Sequence, residues 1–180
     1  SNNSGNGIYL YYSNNNTLSG NFLDSDGLGI ELYLSSYNNI ANSRITNTLS
    51  GGIRVGSNYN EISNNIISNN GMYGIYLWGS YNNLTGNRIE NNSEYGLDID
   101  NTNNYIDQSN IVNGEPVYYF YNIHGTAEDP IIIENLNLSA PRVSNVGKLT
   151  LINCTYFLIK NNTLSNNYLY PHSNDGYGIY

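Results

Sequence analysis

Cationic side chains are scarce: Lys and Arg together number six in 180 residues. Six positive charges are too few to build a phosphate-binding stripe, which sets nucleic acid aside as a partner. Cysteine occurs once, at Cys154, so no intrachain disulfide is available. That thiol lies in a strand-like run and is expected to pack as a small apolar side chain. No apolar run approaches the roughly 20 residues needed to cross a bilayer as a helix, so no membrane span is expected. Methionine occurs once, and the two histidines, His124 and His172, are far apart. Soft metal sites want clustered His, Cys or Met, so no metal and no cofactor is expected. A leading Met and a signal peptide are also missing, and the chain reads as a mature or excised segment. Charged residues make up only 11%, against roughly 25% in ordinary globular domains.

Polarity therefore comes from neutral groups, and these are ordered. Asn16, Asn38, Asn60, Asn82 and Asn104 are spaced by 22 residues without a slip. Two apolar columns keep the same beat: Leu18, Ile40, Ile62, Leu84, Ile106 and Leu23, Ile45, Ile67, Ile89, Ile111. A broken polar column runs Asn21, Ser43, Asn65, Asn87, Ser109, and another Asn47, Asn69, Asn91, Asn113. Such a period means one structural unit per 22 residues, stacked on the last. Residues 74–95 show the unit. Ile75 and Leu77, then Leu84, then Ile89 form three short apolar pulses bounded by Gly, Ser or Asn. Each pulse is strand-length, none is long enough for a helix, and no heptad is present.

Three short strands per repeat predict a rung of a parallel β-helix, an all-β solenoid. Equivalent residues then sit about 4.8 Å apart, and an Asn at one corner of every rung can bond the Asn above and below. A single domain, 1–180, is expected, with regular rungs over 1–113 and rungs with loop insertions over 114–180. The insertions are placed near Asn122–Pro130 and Ser139–Gly147, with Ile106, Ile133, Ile159 and Ile111, Leu138, Leu164 continuing the columns. Gly178-Ile179-Tyr180 would restart the first strand, giving about seven rungs.

These rungs resemble the right-handed parallel β-helix of the NosD-like repeat proteins, the CASH group of carbohydrate-binding proteins and sugar hydrolases. The stretch Asn113-Gly114-Glu115-Pro116-Val117-Tyr118-Tyr119-Phe120, followed by Leu151-Ile152-Asn153-Cys154-Thr155, resembles the irregular middle segment of archaeal-type surface members. The resemblance implies a right-handed, single-stranded helix and a surface setting. It also carries an association with copper, which two His, one Met and one Cys do not support.

On the outward face of the first strand, one column reads Tyr9, Glu31, Arg54, Tyr76, Asp98 and the next Tyr11, Tyr33, Gly56, Trp78, Asp100. Aromatic platforms beside carboxylates suit stacking of sugar rings and bonding of hydroxyls. Carbohydrate binding is therefore expected at Tyr9, Tyr11, Tyr33, Tyr76, Trp78, Asp98 and Asp100. Cross-rung aromatic stacks also stabilise sheets without binding anything. Tyr37, Tyr59 and Tyr81 form a third such column at a turn. Candidate acid–base pairs are Asp98 with Asp100, Asp24 with Asp26, and Glu128 with Asp129, but no basic residue joins them closely and no catalytic assignment is made. The Pro171-His172 loop with Asp175 faintly resembles sugar epimerases of this group, without matching their spacing.

The expected role is a secreted or cell-surface structural and adhesive module with a possible glycan ligand. The alternative is a polysaccharide-active hydrolase, lyase or epimerase. Sequons at Asn2, Asn15, Asn83, Asn91, Asn137, Asn153 and Asn161 admit attached N-glycans. Gly5-Asn6-Gly7-Ile8-Tyr9 resembles Gly176-Tyr177-Gly178-Ile179-Tyr180, which suggests head-to-tail self-association or the remainder of a longer β-helix.

Overall fold

A computed structural model describes residues 4–141, 143–144 and 148–165. Among these, every regular element is a strand. Strands β1 (Asn6–Tyr11), β2 (Thr17–Ser19) and β3 (Phe22–Asp24) form the first rung. The second holds β4 (Leu28–Tyr33), β5 (Asn39–Ala41) and β6 (Arg44–Thr46), and the third β7 (Ile53–Gly56), β8 (Glu61–Ser63) and β9 (Ile66–Ser68). The fourth is β10 (Ile75–Leu77), β11 (Asn83–Thr85) and β12 (Arg88–Glu90), and the fifth β13 (Leu97–Ile99), β14 (Tyr105–Ile106) and β15 (Ile111–Val112). Each strand pairs in parallel with its counterpart one rung away, which builds three sheets along one axis. This is the expected parallel β-helix.

Alternation decides what goes inside. Ile30, Ile53, Ile75 and Leu97 form one fully buried ladder, Ile40, Ile62 and Leu84 a second, and Ile45, Ile67 and Ile89 a third. Each such side chain contributes about 1.5–3 kcal/mol by leaving water. Backbone groups at the corners lack sheet partners, and polar side chains supply them. Asn38 Oδ1 accepts both the backbone N–H and the side-chain amide of Asn16, at 2.8 and 3.1 Å. Asn60, Asn82 and Asn104 repeat the arrangement up the stack.

Two polar ladders differ from expectation by one residue. The second runs Asn21, Ser43, Asn65, Asn87 and then Asn110, not Ser109. Leu84 pairs with Ile106, 22 residues on, but Ile89 pairs with Val112, 23 residues on. One extra residue in the corner between Ile106 and Ile111 shifts everything after it. Val112 therefore occupies the core column, while Ile111 turns outward beside Arg88. The third buried ladder is Thr48, Asn70, Asn92, each one residue past the expected position. Asn47, Asn69, Asn91 and Asn113 turn the chain, with φ of 56°, 58°, 55° and 50°, and their last step keeps the expected ladder bond, from the Asn91 N–H to Asn113 Oδ1 at 2.9 Å. Asn tolerates this left-handed conformation better than most residues. Asn15, Tyr37, Tyr59 and Tyr81 take the same conformation just before the first ladder.

Beyond the fifth rung the stacking changes. Asn113-Gly114, both at positive φ, fold β16 (Glu115–Pro116) back antiparallel on β15. β17 (Tyr118–Tyr121), β18 (Ile131–Glu134) and β19 (Asn137–Leu138) then pair with β20 (Leu149–Ile152), β21 (Phe157–Lys160) and β22 (Thr163–Leu164). These are the sixth and seventh rungs, with the two expected insertions lying between β17 and β18 and between β19 and β20. Ile133 does face Ile159 and Leu138 faces Leu164. The steps from Ile106 to Ile133 and from Ile111 to Leu138 do not form ladders. The hairpin occupies that level, β17 lies beside β14, and Ser144 bridges to Leu97. Cys154 is half-buried, with its thiol directed at the carbonyls of Phe120 and Ile152. Gly178-Ile179-Tyr180, Pro171, His172 and Asp175 lie outside the described residues.

Candidate functional site

The first sheet turns its apolar alternation inward and its aromatic alternation outward. Register places Tyr9 beside Glu31, Glu31 beside Arg54, Arg54 beside Tyr76, and Tyr76 beside Asp98. Tyr11 pairs with Tyr33, and Tyr33 with Gly56. Trp78 and Asp100 follow just past the ends of β10 and β13, held by their N–H bonds to the Val55 and Leu77 carbonyls.

The rings form a continuous row. Tyr9 and Tyr11 stack with centroids 6.0 Å apart, Tyr11 and Tyr33 at 5.9 Å, and Tyr33 and Trp78 at 6.1 Å. Near-parallel rings at this spacing are offset, not eclipsed. About half of Tyr9, Tyr11 and Trp78 remains exposed. Gly56 makes the last contact possible. A Cβ there would stand 3.2 Å from Trp78 and 3.4 Å from Tyr33.

Arg54 ties the row to the polar groups. Its guanidinium lies 3.4 Å from Glu31 and over the rings of Tyr76 and Trp78, at 5.8 and 5.7 Å. Beyond it, the Tyr76 hydroxyl donates to Asp100. All seven expected sugar-contacting residues thus share one face, in two groups: Tyr9, Tyr11, Tyr33 and Trp78 as platform, and Tyr76, Asp98 and Asp100 as polar cluster. Burial first, then the charges of Asp100 and Glu94, pushes the Asp98 carboxyl up to about 6. Burial and the bond to Asp100 raise Tyr76 as well.

A family model for a right-handed β-helix region matches residues 1–114 and again 61–180. The chain belongs to the right-handed β-helix family. Neither a search of curated proteins nor one of solved structures returned a match.

Within this right-handed β-helix, other expected groupings stand apart from the aromatic face. Asp24 sits at the end of β3 and accepts from Asn47, on the third sheet. Asp129 lies in the irregular segment after β17 and caps a turn with Thr126. No group of three His, Cys, Asp or Glu side chains suited to a metal ion occurs among the described residues.

The β-helix also holds features that alternation hid. Tyr12 would point away from Tyr11 in a continuing strand. Its φ of 50° ends β1 and brings its ring edge-on to Tyr11 at 4.5 Å. Together with Leu34, Tyr37, Asn14, Asn58 and the floor at Gly56 it lines a groove of about 430 Å³ beside the ring row. Tyr37 in its lining begins the stacked column Tyr37, Tyr59, Tyr81, at 5.3 Å per step. A Tyr directly after a strand-ending Tyr was the available signal.

Proposed function

We propose that this β-helix is a secreted or cell-surface structural and adhesive module that binds carbohydrate along its Tyr–Trp face. The observation that carries the reading is the offset ring row from Tyr9 to Trp78, half-exposed and bordered by Arg54, Glu31 and Asp100. Offset rings present apolar surface to the C–H faces of sugars, and the polar border supplies hydroxyl partners. The resemblance of its rungs to the NosD-like, CASH-type group supports the same reading. Edge strands β1, β2 and β3, with Ile8, Leu10 and Leu18 half-buried, offer a place where another rung adds, from a second copy or a longer chain. A glycan array tests the binding: wild-type protein retains a glycan that Trp78→Ala does not. Equal retention by both proteins, or retention of no glycan, sinks the sugar-binding reading.

One observation favours a polysaccharide-active enzyme. Asp98, raised to about 6, stands two residues from Asp100 on the same face. Carboxyls with separated pKa values are what acid–base cleavage of glycosidic bonds uses. A product assay on any bound glycan discriminates, because turnover lost in Asp98→Asn requires an enzyme and binding without product requires a module.

A further inference from the structure

A second aromatic surface lies where the stacking changes, away from the Tyr–Trp face. Between β14 and β17 opens a groove of about 380 Å³, lined by Tyr105, Phe120, Tyr121, Ile123, Asn83 and Thr85. Tyr105 and Tyr121 meet edge to face at 5.3 Å. Asn83 and Thr85 are the outer positions of the sequon Asn83-Leu84-Thr85, whose middle residue is fully buried. A strand thus presents both sequon side chains to the groove.

Each described sequon asparagine is exposed: Asn15, Asn83, Asn91, Asn137, Asn153 and Asn161. Asn83 is set apart by its neighbours. Register puts it directly opposite Tyr105 on the adjoining strand, where side chains lie about 5 Å apart. Among the described residues its amide has no hydrogen-bond partner, whereas the amide of Asn153 donates to Asn122. An amide that points outward beside a half-exposed ring is placed to carry a sugar onto that ring.

We infer that Asn83 carries an N-linked glycan whose first sugars pack into the Tyr105–Tyr121 groove. The inference rests on the export proposed above. Attachment forms a bond from Asn83 Nδ2 to the anomeric carbon and breaks that carbon's bond to the phosphate of a lipid-linked glycan donor. The amide loses one proton and the lipid phosphate leaves. The attached chain covers the apolar lining at the point where the regular ladders end, with Gln108 at the rim to meet its hydroxyls.

The test uses the full chain recovered from the cells that make it. Cleavage after Arg54 and Arg88 isolates peptide 55–88, in which Asn83 is the one sequon asparagine. The expected result is a glycan mass on that peptide, lost in Thr85→Ala. Tyr105→Ala should keep the glycan but let exoglycosidases trim it several-fold faster. A bare peptide overturns the inference, and so does trimming unchanged by Tyr105→Ala. A bare Asn83 beside glycosylated Asn137 or Asn153 overturns it while leaving export standing. The glycan-array result on the Tyr–Trp face is independent of each of these outcomes.

Discussion

Tyr33 and Trp78 stack at 6.1 Å although they stand two rungs apart, with Gly56 on the rung between them. Neighbouring strands lie about 4.8 Å apart, so side chains two rungs away would not touch if both stood upright. The rings lean over the glycine instead, and the missing side chain converts a gap into part of the platform. Gly56 therefore lets the ring row of the proposed binding face run unbroken from Tyr33 to Trp78.

Replacing Gly56 with Val should wedge these rings apart. The position is half-exposed, so the stability cost should stay below about 1 kcal/mol. Affinity for any glycan bound on the face should fall about tenfold or more, the equivalent of about 1.4 kcal/mol. Calorimetric titration with the array hit measures the one and thermal melting the other. Unchanged affinity would remove the ring row from the binding surface.

The buried polar ladder gives a sharper comparison between adjacent asparagines. Asn70→Ala removes the acceptor for the backbone N–H of Thr48 and the amide that donates to Asn92, inside the stack, while the Thr48 hydroxyl keeps the Gly51 carbonyl. Leaving such groups unpaired costs about 1–3 kcal/mol each, so a loss of about 2–4 kcal/mol is expected. Asn69→Gly keeps the left-handed turn that Asn69 makes and should change stability by no more than about 0.5 kcal/mol. Urea unfolding of both variants measures the difference. Similar losses would mean that the two positions share one role.

That comparison marks the limit of what the residue string holds. A 22-residue beat in apolar and Asn columns admits few folds, so the solenoid and its first ladder were legible. At the third corner, however, Asn stands at successive positions, Asn69 with Asn70 and Asn91 with Asn92. Identity is the same, and only φ separates the one that turns from the one that is buried. The slip at the fifth rung was silent for a similar reason. Ile111 and Val112 are both apolar, so one extra corner residue exchanges them without disturbing the pattern. Asn113-Gly114 is a turn-forming pair, but the displacement of the sixth rung by its hairpin was not legible, because that depends on what β16 pairs with. That Tyr9, Tyr11, Tyr33, Tyr76, Trp78, Asp98 and Asp100 share one face was legible because alternation is exact in β1 and β10. Tyr12 was not, because it breaks that alternation.

The junction itself is pinned by charge. Glu115 on the hairpin accepts the N–H groups of Ser139 and Ala140, and Lys148 approaches it at 3.8 Å while donating to Ala140. Lys148 is buried, and that burial lowers its pKa. Glu115→Ala leaves this cation without its counter-charge and should cost about 3–5 kcal/mol. The loss should be local, since rungs interact mainly with their neighbours. Hydrogen exchange should quicken over β17–β22 and stay slow over β4–β12. Uniform loss of protection along the chain would refute a local clamp.

Asp98 makes stability depend on pH in the opposite sense to most carboxylates. Its carboxyl titrates at about 6 in the folded chain against an ordinary value of 3.8, because burial and the neighbouring charges of Asp100 and Glu94 disfavour ionisation. The folded state therefore binds more protons than the unfolded state between about pH 4 and pH 6, and stability from this group falls as pH rises through that window. The shift alone would be worth about 3 kcal/mol at 1.36 kcal/mol per unit, and screening at this partly exposed site reduces it to roughly 1–2 kcal/mol. Asp98→Asn removes the titration while keeping the shape. Its melting temperature should match the wild type near pH 4 and exceed it by about 2–8 °C above pH 6.5, given about 2–4 °C per kcal/mol for a chain of this size. Melts of both proteins across that range provide the check. A gain of equal size at pH 4 and pH 7.5 would show that the carboxyl is not strained by its neighbours, and would remove the acid–base separation on which the enzymatic reading depends.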